Sequence, residues 1–83
     1  MLTSATKKEI LKKAGYTYDF RRMVYYNRRT KKVFSVEAVK ENDEHWLQKC
    51  IGEENGLAGW RFYFRSAPSE TVKSELVSEL AGW

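Results

Sequence analysis

The chain has 83 residues, 42% of them hydrophobic and 14% aromatic, so it has material for one core and is too short for two. It has a net charge of +4 and one cysteine, Cys50, which excludes an internal disulfide and favours a reducing compartment, the cytoplasm. We find neither a secretory signal nor the run of about 18 apolar residues that a membrane span needs. The prediction is one compact domain over residues 1–83 with no membrane contact.

The positive charge is concentrated in the first part of the sequence. Residues 1–32 contain ten Lys or Arg and two acidic residues, a balance of +8. Residues 33–83 contain five basic and nine acidic residues, a balance of −4. Such a separation of charge carries information about binding partners rather than about the fold.

A short helix is predicted at the start of the chain. Thr6 and Glu9 have the spacing of a capping box, which predicts a helix that begins near Lys7. Apolar residues recur at helical spacing as far as Gly15, which is placed to form a left-handed C-terminal cap. The two lysines at 12–13 then lie in the last turn, where the helix dipole favours positive charge.

The next segment has the alternation of strands. Tyr16, Tyr18 and Phe20 fall on one side of a predicted short strand. Two β-rich segments follow, separated by a basic turn, and they predict a β-hairpin with its tip at Arg28–Lys31. Asn27 precedes the tip, where its side chain is expected to bond the backbone two residues further on.

A helical segment is predicted after the hairpin. Ser35 is the expected N-cap, and apolar residues recur at mostly helical spacing as far as Ile51. The sequence leaves open whether residues 36–53 form one helix or two. If the chain breaks at residues 41–43, Asn42 or Asp43 would cap the second helix.

The last third predicts one strand and one helix. Over residues 60–65 aromatic residues alternate with arginines, the clearest strand pattern in the chain, and Pro68 with Ser69 opens the final helix. The predicted fold class is therefore α+β, in the order α-β-β-α-β-α. We expect a small antiparallel sheet of three or four strands, covered on one face by helices.

No constellation of residues predicts catalysis or metal binding. His45 and Cys50 are the sole imidazole and the sole thiol, and on one helix they would point about 140° apart, so they form no dyad. His45 with Glu41 falls short of the three or four ligands of a zinc site. The glycines of residues 56–59 lack the context of a phosphate-binding loop. The prediction is a non-enzymatic domain with no catalytic residue, cofactor or metal.

The basic hairpin predicts a nucleic-acid-binding surface. Positive charge beside an aromatic ring is how unspecific single-strand binders work, and a two-stranded ribbon also fits the DNA major groove. Neighbours in a strand point to opposite faces, so one of two adjacent tyrosines is expected to face away from the core. The predicted contacts to DNA or RNA are Arg21, Arg22, Tyr25, Tyr26, Arg28, Arg29, Lys31 and Lys32.

Two other interpretations of the charged residues stay open. Basic side chains at a hairpin tip keep it soluble and block unwanted strand pairing, although like charges at this density repel one another. The alternative function is protein–protein interaction or self-association, with an acidic protein partner or a homodimer. Tyr and Arg are enriched at protein interfaces, and an edge strand can pair with its copy. The predicted interface residues are Arg61, Tyr63, Arg65 and Trp83.

Overall fold

The computed structural model describes residues 4–54 and 59–81 of the chain. Within these ranges the elements are α1 (Ser4–Lys13), β1 (Thr17–Asp19), β2 (Val24–Asn27), β3 (Lys32–Ser35), α2 (Val36–Glu41), α3 (Glu44–Gly52), β4 (Arg61–Tyr63) and α4 (Glu70–Ala81). The α+β class is confirmed. The predicted order of elements is only roughly matched. The order α-β-β-α-β-α leaves out the short strand predicted from Tyr16, which is present as β1, and the middle helical segment is divided in two.

The sheet is mixed, with its strands in the order β1-β2-β3-β4. The pairs β1–β2 and β2–β3 are antiparallel, whereas β3 and β4 are parallel, with Val33 opposite Phe62. The prediction of a purely antiparallel sheet is therefore wrong at β4. The physical reason is the connection: α2 and α3 return the chain to the end of the sheet where β3 begins, and a long crossover of this kind joins parallel strands.

Helices cover both faces of the sheet, whereas the sequence predicted one covered face. Val33 and Phe34 are neighbours in β3, and both are fully buried because adjacent side chains of a strand point to opposite faces. The core on the Phe34 face contains Leu11, Tyr16, Tyr25, Val36, Val39, Leu47 and Cys50, from α1, α2, α3 and the strands. The core on the Val33 face contains Val24 and Leu80, with Tyr26, Trp60, Phe62 and Phe64 packed against it.

The first helix ends as predicted but begins earlier. α1 starts at Ser4, so Thr6 and Glu9 lie inside the helix and the predicted capping box is wrong. At the other end, Gly15 has φ of 91° and donates its N–H to the Lys12 carbonyl at 3.0 Å. The next N–H, of Tyr16, reaches the carbonyl of Leu11 at 2.9 Å. This pair of bonds is a Schellman motif, which requires the left-handed conformation that glycine adopts easily.

Side-chain caps divide the middle helical segment into two helices. The Ser35 hydroxyl accepts a hydrogen bond from the Ala38 N–H at 3.1 Å, which confirms the predicted N-cap of α2. The Asp43 carboxylate accepts the Trp46 N–H at 2.8 Å and caps α3. Asn42 ends α2 instead, and its side-chain amide donates to the Ala38 carbonyl at 2.8 Å. The question left open by the sequence is settled as two helices.

Two of the strands are shorter than the alternation predicted. β1 ends at Asp19, so Phe20 lies in the following turn with 70% of its surface exposed, while Tyr16 before the strand is buried. β4 covers three residues of the six that alternate. Tyr16 and Phe20 therefore do not share one side of a strand, and that prediction is wrong.

Candidate nucleic-acid interface

Asn27 organises the hairpin loop. Its side-chain carbonyl accepts the N–H of Arg29 at 2.9 Å and of Thr30 at 3.3 Å, while its backbone carbonyl accepts the N–H of Lys31 at 2.7 Å. Lys31 has φ of 58°, a left-handed conformation that turns the chain back into β3. The predicted tip at Arg28–Lys31, with Asn27 bonding the backbone two residues on, is confirmed.

The same asparagine fixes the end of α1 to the base of the loop. The Asn27 side-chain amide donates to the Ala14 carbonyl at 3.1 Å, and Asn27 itself is buried. Lys12 and Lys13 are exposed in the last turn of α1 and so lie at the same end of the molecule as the hairpin tip. Sequence reasoning assigned these two lysines to the helix dipole alone, because no spacing in the sequence reports a contact between residues 14 and 27.

The exposed cations at this end form the surface that we call the basic tip: Lys12, Lys13, Arg28, Arg29 and Lys31. The Arg28 guanidinium lies over the ring of Tyr26, 5.4 Å from its centroid, in cation–π geometry. Tyr26 is half-buried against the core on the α4 face, and Tyr25 is buried in the opposite core. Neither tyrosine faces away from a core, contrary to the prediction, because both faces of the sheet are covered.

Lys32 does not belong to the exposed surface on which it was predicted to lie. Its side chain is 1% exposed, and its ammonium donates to the carbonyls of Cys50 at 2.9 Å and Ile51 at 3.0 Å, and to that of Glu53. These carbonyls lie at the C-terminal end of α3, where they lack helical partners and the helix dipole is negative. Desolvation lowers the pKa of Lys32, and the charge of Glu53 acts in the opposite direction.

Lys7 likewise donates hydrogen bonds to the carbonyls at the C-terminal end of α2. It is buried, and its ammonium donates to the carbonyls of Val39 at 2.7 Å, Lys40 at 3.2 Å and Asn42 at 2.6 Å. Two cations of the basic first part of the chain are therefore caps for helices. Because both side chains are buried, neither ammonium is accessible for direct contact with a phosphate.

The two arginines of the β1–β2 turn lie away from the basic tip. Arg22 forms ion pairs with Asp19 and with Glu79 of α4, while Arg21 is exposed. Desolvation acts to raise the pKa of Asp19, but the hydrogen bonds and charge of Arg22, with the Arg21 N–H, lower it on balance. The four residues of β2, about 13 Å of strand, separate this turn from the tip. The arginines predicted to contact nucleic acid therefore lie at two opposite ends of the sheet and do not form one surface.

Tyr63 is half-buried and packs against the core, whereas the sequence predicted an interface ring between two arginines. It stacks on Phe34 with 4.5 Å between ring centroids and 9° between planes, and it meets the edge of Trp46 at 6.3 Å. The Arg61 guanidinium lies 3.4 Å from the Tyr63 hydroxyl and 3.4 Å from the Glu53 carboxylate. Burial raises the pKa of Tyr63, and the neighbouring Arg61 opposes that shift. The predicted interface ring is thus engaged within the fold.

The remaining predicted interface residues are dispersed. Arg65 pairs with Glu41 at the end of α2, with 3.1 Å between nitrogen and oxygen. Trp83 lies outside the described residues. β4 does lie at an edge of the sheet, the position from which a strand can pair with another chain.

Residues with potential for chemistry stay apart. Cys50 is buried, and desolvation raises the pKa of its thiol, whereas His45 is exposed. Within residues 4–54 and 59–81, no three His, Cys, Asp or Glu side chains come together as a group that could hold a metal ion. In the same ranges no helix has the length and apolar character needed to cross a membrane.

Comparison of the chain with protein-family models, with curated proteins and with solved structures gives no match. The geometry of the basic tip is therefore the main guide to function.

Proposed function

We propose that this chain is a small non-enzymatic domain that binds DNA or RNA electrostatically through its basic tip. The observation that carries the proposal is the hydrogen bond between Asn27 and Ala14, since it holds the end of α1 against the hairpin loop. Two sequence segments with separate runs of positive charge are thereby combined into one surface. Five cations at one end of a small sheet create a local potential that favours a polyanion over a single small anion.

The loop is ordered before any ligand arrives. The side chain of Asn27 accepts two loop N–H groups, and the left-handed Lys31 fixes the return into β3. An ordered loop loses less conformational entropy on binding than a flexible one. Arg28 and Arg29 also carry planar guanidinium groups that can bind a phosphate through two hydrogen bonds.

A charge-reversal experiment tests the location of the site. Arg29→Glu and Arg21→Glu make the same change in net charge, in the same part of the sequence, but at opposite ends of β2. We expect Arg29→Glu to weaken binding of a labelled single strand roughly tenfold at low salt, and Arg21→Glu to weaken it much less. Fluorescence anisotropy measures both. Equal losses would show that only net charge matters, and an absence of binding by the native chain would refute the proposal.

A protein partner or self-association is the second candidate, and one observation favours it. Phe20, Met23 and Tyr18 are large apolar side chains that are exposed close together around the β1–β2 turn. Apolar groups exposed together are typical of protein contact sites. Sedimentation of the native chain and of Phe20→Ser over a range of concentrations tests this candidate, since self-association through the turn would be lost in the variant.

A further inference from the structure

A groove lined by tyrosines runs between α1 and the strands β1 and β2. Its larger part has a volume of about 320 Å³ and is lined by Lys8, Leu11, Lys12, Tyr16, Tyr18 and Tyr25. A smaller part of about 150 Å³ shares three of these residues and extends to Met23 and Lys40. We call the two parts together the tyrosine groove.

The chemistry of the groove favours an anion that carries a flat ring. Of the described residues that line either part, several are lysines and none is acidic. Tyr18 is 45% exposed, and its ring lies 4.8 Å from that of Tyr25, at 34° between the planes. Tyr18 is therefore held in place by a buried neighbour while part of its surface stays open. An aromatic surface bordered by cations is the combination on which bases of a single strand stack.

The groove is continuous with the basic tip. Lys12 lines the groove and belongs to the tip, and it lies two residues before Ala14, which Asn27 binds at the base of the hairpin. Lys8 lies one helical turn earlier on the same side of α1, and Lys40 borders the smaller part of the groove. Positive charge thus follows a path from the hairpin loop along the groove.

We propose that the tyrosine groove binds one unpaired base of a nucleic-acid strand, stacked on Tyr18, while Lys8 and Lys12 bind the phosphates on either side. This inference rests on the proposed function and adds to it a preference for single strands. A base in a duplex is already stacked between its neighbours, so it reaches the groove only after the cost of unstacking. An acidic peptide would satisfy the lysines but would leave the aromatic surface unused.

Two nucleic-acid strands of equal charge distinguish binding in the groove from binding at the basic tip. One is a thymidine single strand of about ten nucleotides, within the usual site size of such proteins, and the other is an abasic phosphodiester strand of the same length. The basic tip contacts phosphates alone, so its affinity for the two strands is expected to be equal. The groove adds a stacked base, so we expect the thymidine strand to bind about tenfold more tightly than the abasic strand.

Variants of Tyr18 test whether the difference in affinity between the two strands arises in the groove. Tyr18→Ala is expected to reduce the affinity for the thymidine strand to that for the abasic strand, while Tyr18→Phe, which keeps the ring, retains the preference. Phe20→Ala is the matched control, because Phe20 is exposed nearby but does not line the groove. Circular dichroism melting verifies that each variant is folded. If Tyr18→Ala unfolds, Tyr18→Leu replaces it, because leucine keeps an apolar side chain but has no ring on which a base can stack.

Each outcome separates the two proposals. Failure of the native chain to bind either strand at low salt would refute the proposed function and this inference with it. Equal affinity for the two strands would overturn the groove as a base site and leave phosphate binding at the tip intact. Amide NMR shifts at Lys8 and Tyr18 on addition of a glutamate-rich peptide, with none on addition of the thymidine strand, would overturn it in favour of a protein ligand.

Discussion

Lys32 and Cys50 are joined by a hydrogen bond of 2.9 Å from the lysine ammonium to the backbone carbonyl, although they lie 18 positions apart in the chain. The bond connects β3 to the C-terminal end of α3, and two further carbonyls, of Ile51 and Glu53, share the same ammonium. The ammonium supplies hydrogen bonds to carbonyls that have no partner within the helix, although desolvation of the charge opposes its burial and lowers the pKa of Lys32. This contact reduces the exposed charge of the hairpin to the cations of the loop itself.

Replacement of Lys32 tests this account of the buried ammonium. Lys32→Met keeps most of the side-chain volume but removes the ammonium donor from the carbonyls of Ile51 and Glu53, so we expect a loss of about 2–3 kcal/mol in the free energy of unfolding. Lys31→Gln removes the neighbouring exposed charge, and it should weaken strand binding while leaving stability nearly unchanged. Urea denaturation and anisotropy measure the two effects. An unchanged stability of Lys32→Met would contradict the capping role.

Gly15 is a second position with a specific physical requirement. Its φ of 91° is unfavourable for any residue with a Cβ, and an added Cβ would lie 3.3 Å from the side-chain nitrogen of Asn27. We expect Gly15→Ala to lower the free energy of unfolding by about 1–3 kcal/mol, since it strains the cap and disturbs the Asn27–Ala14 bond.

The control for this substitution is Gly52→Ala, at the end of α3. A Cβ there would meet nothing within 4 Å, and alanine is the better helix former. Thermal unfolding compares the two variants. Equal melting temperatures for Gly15→Ala and the native chain would show that the cap tolerates a side chain.

Several features that depend on residues within about four positions were predictable from the sequence, although the predicted capping box of Thr6 and Glu9 was wrong. The Ser35 cap, the left-handed Gly15 and the asparagine-centred turn at Asn27 all act through adjacent backbone groups. The break between α2 and α3 is also a local feature. Two residues were candidates for the cap of α3, and the structure shows that Asp43 is the cap. Local chemistry is sufficient for such features because the partner atoms are brought together by the chain itself.

Features that depend on distant segments were not predictable in the same way. Lys7 and Lys32 resemble their exposed neighbours in the sequence, and only the arrival of α2 and α3 turns them into buried caps. The parallel pairing of β4 follows from the path of two helices, and it places Tyr63 on Phe34. A helix on each face likewise gives both Tyr25 and Tyr26 a packing partner. Alternation predicts which side chains share a face and carries no information about what covers that face.

The buried phenol of Tyr16 predicts a loss of stability in alkaline solution. Desolvation raises its pKa from an ordinary value near 10 to about 12, while the hydroxyl of Thr30 acts in the opposite direction. Between pH 10 and pH 12 the unfolded chain therefore releases this proton before the folded chain does. Stability contributed by the neutral phenol is complete below pH 10 and is lost as the pH rises towards 12.

The size of this effect follows from the shift in pKa. Two units correspond to about 2–3 kcal/mol, so the free energy of unfolding should fall more steeply with pH in the native chain than in Tyr16→Phe. Other groups that titrate in this range are present in both proteins, and the comparison removes their contribution. Urea denaturation at several pH values gives the two slopes. Parallel slopes would show that Tyr16 titrates normally in the fold.

Salt dependence gives the most direct count of the phosphate contacts made by the basic tip. If all five cations neutralise phosphates of a single strand, the logarithm of the association constant should fall with the logarithm of salt concentration with a slope of about −3.5. Affinity would then drop roughly a hundredfold between about 50 and 200 mM salt. Arg29→Ala should reduce the steepness of that slope by about 0.7, because one contact is lost.

Lys49→Ala is the control for the salt series, since Lys49 is an exposed cation on α3 and outside the basic tip. It should leave the slope unchanged. A slope near zero for the native chain would show that strand binding does not depend on phosphate contacts, and a slope altered equally by Lys49→Ala would place those contacts elsewhere on the surface. Only a change confined to Arg29→Ala and its neighbours in the tip agrees with a phosphate site at the hairpin.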